Sequence, residues 1–143
     1  MKKIFIIHGP NLNMLGIREP EIYGNKTLED INKEISKKGK ALDIETTFFQ
    51  SNVEGEIVSI IQKNYQKIDG LIINAAAYTH TSVAIRDAIA MLNIPVAEVH
   101  LSNIYKREEF RHHSFLSDIS TGVICGFGSK VYTLAMDALK DLI

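Results

Sequence analysis

The sequence of 143 residues holds a single cysteine, Cys125, so no internal disulfide can form and a reducing, cytoplasmic compartment is the expectation. Cys/His spacing of the metal-binding kind is missing, which argues against a structural zinc. Long hydrophobic runs are missing as well. Ile4 to Ile7 and Leu71 to Ile73 fall far short of the ~18 apolar residues a membrane span requires. Met1-Lys2-Lys3 leads through one short apolar run into His8-Gly9-Pro10-Asn11, a strand entering a loop rather than a signal peptide. Excess charge is absent too: 16 Lys and Arg against 17 Asp and Glu leave a formal charge of −1, which argues against nonspecific nucleic-acid binding, since that needs a concentrated basic face. What is present is the material of a folded core, 45% hydrophobic and 23% charged, in a chain whose length suits one domain spanning residues 1–143. No repeat, low-complexity tract or linker divides it.

Apolar β-branched runs alternate with segments of helical period. Strands are expected at Lys3–Ile7, Leu42–Phe49, Leu71–Ile73, Pro95–Val99 and Gly122–Phe127, the first nearly continuous in apolar character as in a strand buried on both faces. Thr27-Leu28-Glu29-Asp30 has the form of a capping box, followed by Leu28, Ile31 and Ile35 at helical spacing, with Gly39 as the expected stop. Ser51-Asn52-Val53-Glu54 is read as opening a second helix by the same capping chemistry, with Val53, Ile57, Ile60 and Ile61 as its buried stripe. Thr79, Thr81 and Ser82 are all capable caps for a third helix carrying Ile85, Ala88, Ile89 and Leu92. Val131, Leu134, Ala135, Ala138, Leu139 and Leu142 suggest the stripe of a closing helix. The alternation predicts an α/β fold, a flavodoxin-like doubly wound five-stranded parallel sheet of order 2-1-3-4-5.

Two connections, from His8 to Lys26 and from His100 to Thr121, are longer than packing alone requires, and both follow the carboxyl ends of strands, where open α/β sheets place ligands. The strand exits carry unusual residues: His8, Asn11 and Asn13; Asn74, Tyr78 and His80; Glu98, His100 and Ser102. A core would want apolar side chains there, and a solvated loop has no need of amides and imidazoles at several exits, so these residues are candidates for one site. In the first loop Arg18 and Tyr23 lie between Gly16 and Gly24. A phenol near pKa 10 is a poor base unless a cation stabilises its phenolate, and Arg18 could be that cation. On spacing alone the simpler alternative, Arg18 paired with Glu19 or Glu21 and Tyr23 packed on the surface, stands ahead.

Taken in order, the motifs His8-Gly9-Pro10-Asn11-Leu12-Asn13, Leu15-Gly16-Ile17-Arg18-Glu19-Pro20, Tyr23-Gly24, Gln50-Ser51-Asn52-Val53-Glu54-Gly55, Ala77-Tyr78-Thr79-His80-Thr81-Ser82, Glu98-Val99-His100-Leu101-Ser102-Asn103 and Glu109-Phe110-Arg111-His112 resemble the type II dehydroquinases. The resemblance covers essentially the whole chain. It implies a hydro-lyase that converts 3-dehydroquinate to 3-dehydroshikimate through an enolate, without a cofactor or metal, as a homododecamer (a tetramer of trimers). It implies Tyr23 as general base with Arg18 lowering its pKa, His100 as general acid, Glu98 orienting and polarising His100, and Asn11 holding the water that stabilises the enolate. Asn74 and the backbone N–H groups of Leu101 and Ser102 are implied to receive the substrate carboxylate, His80 and Arg111 the ring hydroxyls. Asp87 is implied to reach the hydroxyl region from a neighbouring subunit. Asn74-Ala75-Ala76-Ala77 departs from the family pattern, in which proline or glycine often follows the asparagine; the small alanine side chain is expected to preserve the backbone path.

Other classes fit less well. Gly126-Phe127-Gly128-Ser129-Lys130 follows a strand and opens a helix, so it could cradle a phosphate of a flavin or nucleotide, but it lacks the glycine spacing of either nucleotide fingerprint. Ser102, His100 and Asp87 are present, yet no Gly-x-Ser-x-Gly elbow presents a nucleophile. His112-His113 lacks further ligands at usable spacing and reads as a loop feature. An imine route needs a desolvated lysine, and most lysines (Lys33, Lys37, Lys38, Lys63, Lys67, Lys140) sit on polar helix faces.

Overall fold

A computed structural model describes residues 1–17, 21 and 24–143. Five parallel strands form one sheet: β1 (Lys2–His8), β2 (Ile44–Gln50), β3 (Gly70–Asn74), β4 (Val96–His100) and β5 (Gly122–Cys125), in the order β2-β1-β3-β4-β5. Among the described residues, four α-helices connect or follow them: α1 (Leu28–Ala41), α2 (Glu54–Lys63), α3 (Val83–Ala90) and α4 (Lys130–Lys140). The doubly wound order read from the sequence is the order observed.

Each central strand buries both faces, because alternate side chains meet helices on opposite sides. Ile4, Ile6, Ile72, Ala97 and Val99 pack with Ile31 and Ile35 of α1 and with Val131, Tyr132, Ala135, Met136 and Leu139 of α4. Phe5, Ile7, Leu71, Ile73 and Val96 pack with Ile57 and Ile61 of α2 and with Ile85 and Ile89 of α3. The same alternation sorts the polar ends. His8 and Asn74 follow Ile6 and Ile72 onto the α1/α4 face and are paired in register across β1 and β3. Glu98 and His100 follow Val96 onto the α2/α3 face.

Several local expectations need correction. Gly39 does not stop α1; it lies buried inside the helix, where a Cβ would come 2.8 Å from Thr46 Cγ2 and 2.9 Å from the Ile44 carbonyl. The glycine lets the helix approach β2, and the chain turns two residues after the helix at Asp43, whose φ is 58°. The second strand accordingly begins at Ile44 rather than Leu42. Thr27 and Asp30 do form the capping box. Ser51 does not cap α2: the N-cap is Val53, without a side-chain cap bond. Ser51 Oγ instead accepts from Val53 N–H at 2.9 Å and donates to Glu56. Of the three possible caps for α3, Ser82 is the one used, its Oγ accepting from Ile85 N–H at 2.9 Å.

In α4 the buried stripe contains Tyr132 and Met136, while Leu134 and Ala138, and Leu142 just beyond the helix, are exposed. Val131, Ala135 and Leu139 lie on the shared edge of both stripes, so periodicity alone could not choose between the two neighbouring rows.

Candidate active site

The exits of β1, β3 and β4 open into a cavity of about 200 Å3. Pro10, Asn11, Asn74, His80, His100, Leu101, Ser102, Arg107 and Arg111 contribute to its lining. Gly9 is what allows β1 and β3 to meet here: its N–H donates to the Asn74 carbonyl at 2.7 Å, and a Cβ would sit 2.4 Å from the Ala75 carbonyl oxygen. Of the sequence candidates, Asn11, Asn74, His80, His100, Leu101, Ser102 and Arg111 are thus brought together. Glu98 stands behind His100, fully buried. Asp87 is exposed on α3 and does not line this cavity. Arg18 and Tyr23 lie outside the described residues.

The centre of the site is a strand-built pair. Nε2 of His100 lies 2.5 Å from Oε2 of Glu98, because residues two apart on a strand share a face. Ser114 Oγ donates to the same carboxylate oxygen at 2.9 Å, and Ser117 Oγ donates to the other at 2.7 Å. Burial is the largest single influence on Glu98 and pushes its pKa up. The His100 hydrogen bond and charge, helped by the two serines, outweigh it and hold the carboxyl below the ordinary range. Glu98 is therefore an anion at neutral pH. With Nε2 engaged by Glu98, Nδ1 is the nitrogen left to pass a proton to a ligand.

His80 stacks on His100 with ring centroids 6.3 Å apart, and its Nδ1 donates to the His113 carbonyl at 2.8 Å. Burial lowers its pKa; the hydrogen bond to His113 opposes that, and the His100 and Arg111 charges add to the lowering. His80 is a neutral donor and acceptor at neutral pH. The guanidinium of Arg111 lies 5.0 Å over the Phe110 ring, and its Nε donates to Glu108 at 3.2 Å. Asn11 adopts the left-handed region (φ 69°), a conformation asparagine tolerates, and its N–H donates to Asn52 Oδ1 at 2.9 Å. The arrangement offers an imidazole beside an anion, amide and backbone donors, and a cation: a site for acid–base chemistry on a polar, anionic ligand.

In the alanine run after Asn74 one residue is strained. Ala76 has φ 51°, in the left-handed region, and its N–H donates to Asn74 Oδ1 at 3.1 Å. The glycines of the β5 exit do not form an open phosphate cradle. Gly126 N–H donates to the His100 carbonyl at 3.2 Å and Gly128 N–H to the Leu101 carbonyl at 2.9 Å, so this loop anchors the end of β4.

Sequence reasoning missed Ser114, Ser117, Arg107, Asn52 and Tyr132. The serines and Asn52 meet their partners only through the folded loops. Tyr132 could have been noticed as a phenol in a core stripe, since a buried hydroxyl needs a partner.

Comparison with known proteins agrees with this fold. The family model described as dehydroquinase class II matches residues 2–140. The chain is 52% identical over 143 residues to the 3-dehydroquinate dehydratase of Halothermothrix orenii, covering 100% of this chain and 97% of that one. It is 55% identical over 144 residues to the 3-dehydroquinate dehydratase of Caldicellulosiruptor bescii, covering 100% and 99%. The crystal structure of type II dehydroquinase from Propionibacterium acnes superposes with a TM-score of 0.95 at 40% identity, covering 99% of this chain and 97% of that one. Fold, strand-exit residues and full-length similarity converge on one conclusion: this chain belongs to the class II dehydroquinases.

Proposed function

We propose that this chain, as a single catalytic domain over residues 1–143, is a hydro-lyase that removes water from 3-dehydroquinate to give 3-dehydroshikimate, in the shikimate route to aromatic amino acids. The observation that carries this is the buried His100–Glu98 pair facing a cavity whose lining supplies amide, imidazole and guanidinium groups.

The reaction breaks a C–H bond next to a ketone, leaving an enolate, and then expels a hydroxyl from the neighbouring carbon. Tyr23, as a phenolate beside Arg18, takes the carbon-bound proton. Asn11, through an ordered water, stabilises charge on the enolate oxygen; one preorganised donor of this kind is worth ~3–4 kcal/mol. His100 gives its proton to the departing hydroxyl, which leaves as water, and the electron pair of the enolate becomes the new C=C bond. Such acid assistance contributes about 10²–10⁴-fold. Glu98 holds the imidazole in orientation and balances its charge. Asn74, with the backbone at Leu101 and Ser102, receives the carboxylate; His80 and Arg111 bind ring hydroxyls. An imine route would need a lysine, and among the described residues lining the cavity there is none.

The proposal extends to a cytoplasmic homododecamer, a tetramer of trimers, in which Asp87 enters a neighbour's site. Its exposed position on α3, away from its own cavity, supports that assignment. Sedimentation at the mass of twelve chains is the expected result; a stable monomer with full activity would remove Asp87 from the site.

The deciding experiment is an enone-absorbance assay with 3-dehydroquinate and no added metal. Absorbance should rise and borohydride should leave the enzyme active. No rise, or inactivation by borohydride only when substrate is present, would overturn the reading.

A further inference from the structure

We propose that Tyr132 and His8 are positioning residues that fix the side-chain amide of Asn74 in one orientation, so that this wall of the cavity presents an N–H donor and not a carbonyl. The proposal rests on the dehydratase reading only for the identity of the ligand, a cyclic hydroxy-carboxylate.

His8 and Asn74 are register partners on β1 and β3, both buried beneath α1 and α4. Tyr132 descends from α4, fully buried, and its hydroxyl lies 3.0 Å from His8 Nδ1 and 3.4 Å from Asn74 Nδ2. At the far end His8 Nε2 lies 2.8 Å from Oδ1 of Asn32, on α1. Tyr132 lines no part of the cavity, so it acts on a ligand only through Asn74.

The hydrogen bonds run in one direction. Asn32 Oδ1 can only accept, so His8 carries its proton on Nε2. The ring is neutral, since burial lowers its pKa to about 4, and Nδ1 must therefore accept. The one proton of Tyr132 goes to Nδ1, which leaves the phenol oxygen to accept from Asn74 Nδ2. Asn74 Oδ1 accepts from Ala76 N–H at 3.1 Å. Turning the amide over would set oxygen against the phenol oxygen and NH2 against the Ala76 N–H, two repulsive contacts in a buried place. The favoured orientation leaves the second Nδ2 hydrogen for the cavity, which suits a carboxylate oxygen. The bond at 3.4 Å is long, so the phenol adds to a constraint that Ala76 begins.

The test compares wild type, Tyr132→Phe, Asn74→Ala and the double variant by steady-state kinetics on 3-dehydroquinate, and by calorimetric titration with quinate, which has the ring and carboxylate but no ketone. Tyr132→Phe should raise both KM and the quinate Kd by about 3- to 10-fold, the range of one hydrogen bond. It should leave kcat within about twofold, as expected for lost uniform binding. In the Asn74→Ala background it should add nothing. Unchanged KM and Kd, or effects that add in the double variant, would overturn the proposal and leave Tyr132 a packing residue. Should Tyr132→Phe not fold, Asn32→Leu breaks the chain at its half-buried outer end; a rise of about threefold in quinate Kd supports the proposal and an unchanged Kd overturns it. A wild type that binds quinate but does not turn over 3-dehydroquinate defeats the dehydratase reading alone, and the quinate comparison still decides the role of Tyr132.

Discussion

His100 and Glu98 sit two residues apart on one face of β4 with Nε2 and Oε2 at 2.5 Å, and the strand pleat alone brings them together. The following loop then completes the carboxylate through Ser114 and Ser117. An imidazole that lines the cavity and the buried carboxylate behind it are thus held by strand backbone, and the loop supplies the carboxylate's remaining donors.

Glu98→Gln keeps the shape and removes the charge. Steady-state kinetics should show kcat down by about 10²-fold or more, the scale of general acid assistance, with KM changed far less. A kcat within twofold of wild type would mean that His100 needs no anion.

Ser114→Ala and Ser117→Ala each take one donor from a buried carboxylate, at a cost of about 1.5–3 kcal/mol in urea unfolding. The folded state holds Glu98 below the ordinary carboxylate pKa. Its stabilisation is present above the unfolded value and is lost as pH falls through the folded one. With a serine removed, the folded value rises, so acid unfolding should begin at a higher pH than in wild type.

His8 works in the opposite protonation state. Its pKa falls from 6.5 to about 4 on burial, so as pH drops the unfolded chain takes the proton first. Stability should decline between about pH 6.5 and pH 4 by roughly 3 kcal/mol from this group. His8→Gln should flatten that part of the stability–pH curve, whatever it does at pH 7. A slope equal to wild type would show that another group titrates there.

Ala76→Gly relieves a left-handed residue. The penalty for an L-residue in that region is roughly 1–2 kcal/mol, reduced by the extra freedom glycine gives the unfolded chain. A net gain of about 0.5–1 kcal/mol is expected in chemical denaturation, and a loss would mean the alanine methyl is needed where it lies.

Tyr23→Phe tests the proposed base. Turnover should collapse while the melting temperature and the assembled mass stay as in wild type. Undiminished turnover would remove Tyr23 from the mechanism.

The sequence carried the alternation of strands and helices and most of the residues that line the cavity, because both follow from short-range rules. The β-branched runs, the Thr27–Asp30 box and the unexpected polar residues at strand exits are all readable within a few neighbouring positions. Gly39 and the Ser51 segment misled for the converse reason. A glycine inside a helix and a serine before one have more than one use, and the neighbour decides which: Thr46 beneath α1 in one case, Glu56 in the other.

Local pattern by itself determined that this chain makes a doubly wound parallel sheet and gathers amides and imidazoles at its carboxyl edge, since periodicity and capping act over one or two turns of chain. Only the tertiary structure decided that Ser114 and Ser117 would reach Glu98, and that Tyr132 would reach His8 and Asn74. Those partners lie on separate elements, and buried polar groups must find hydrogen bonds wherever packing places them, which no local window can foresee.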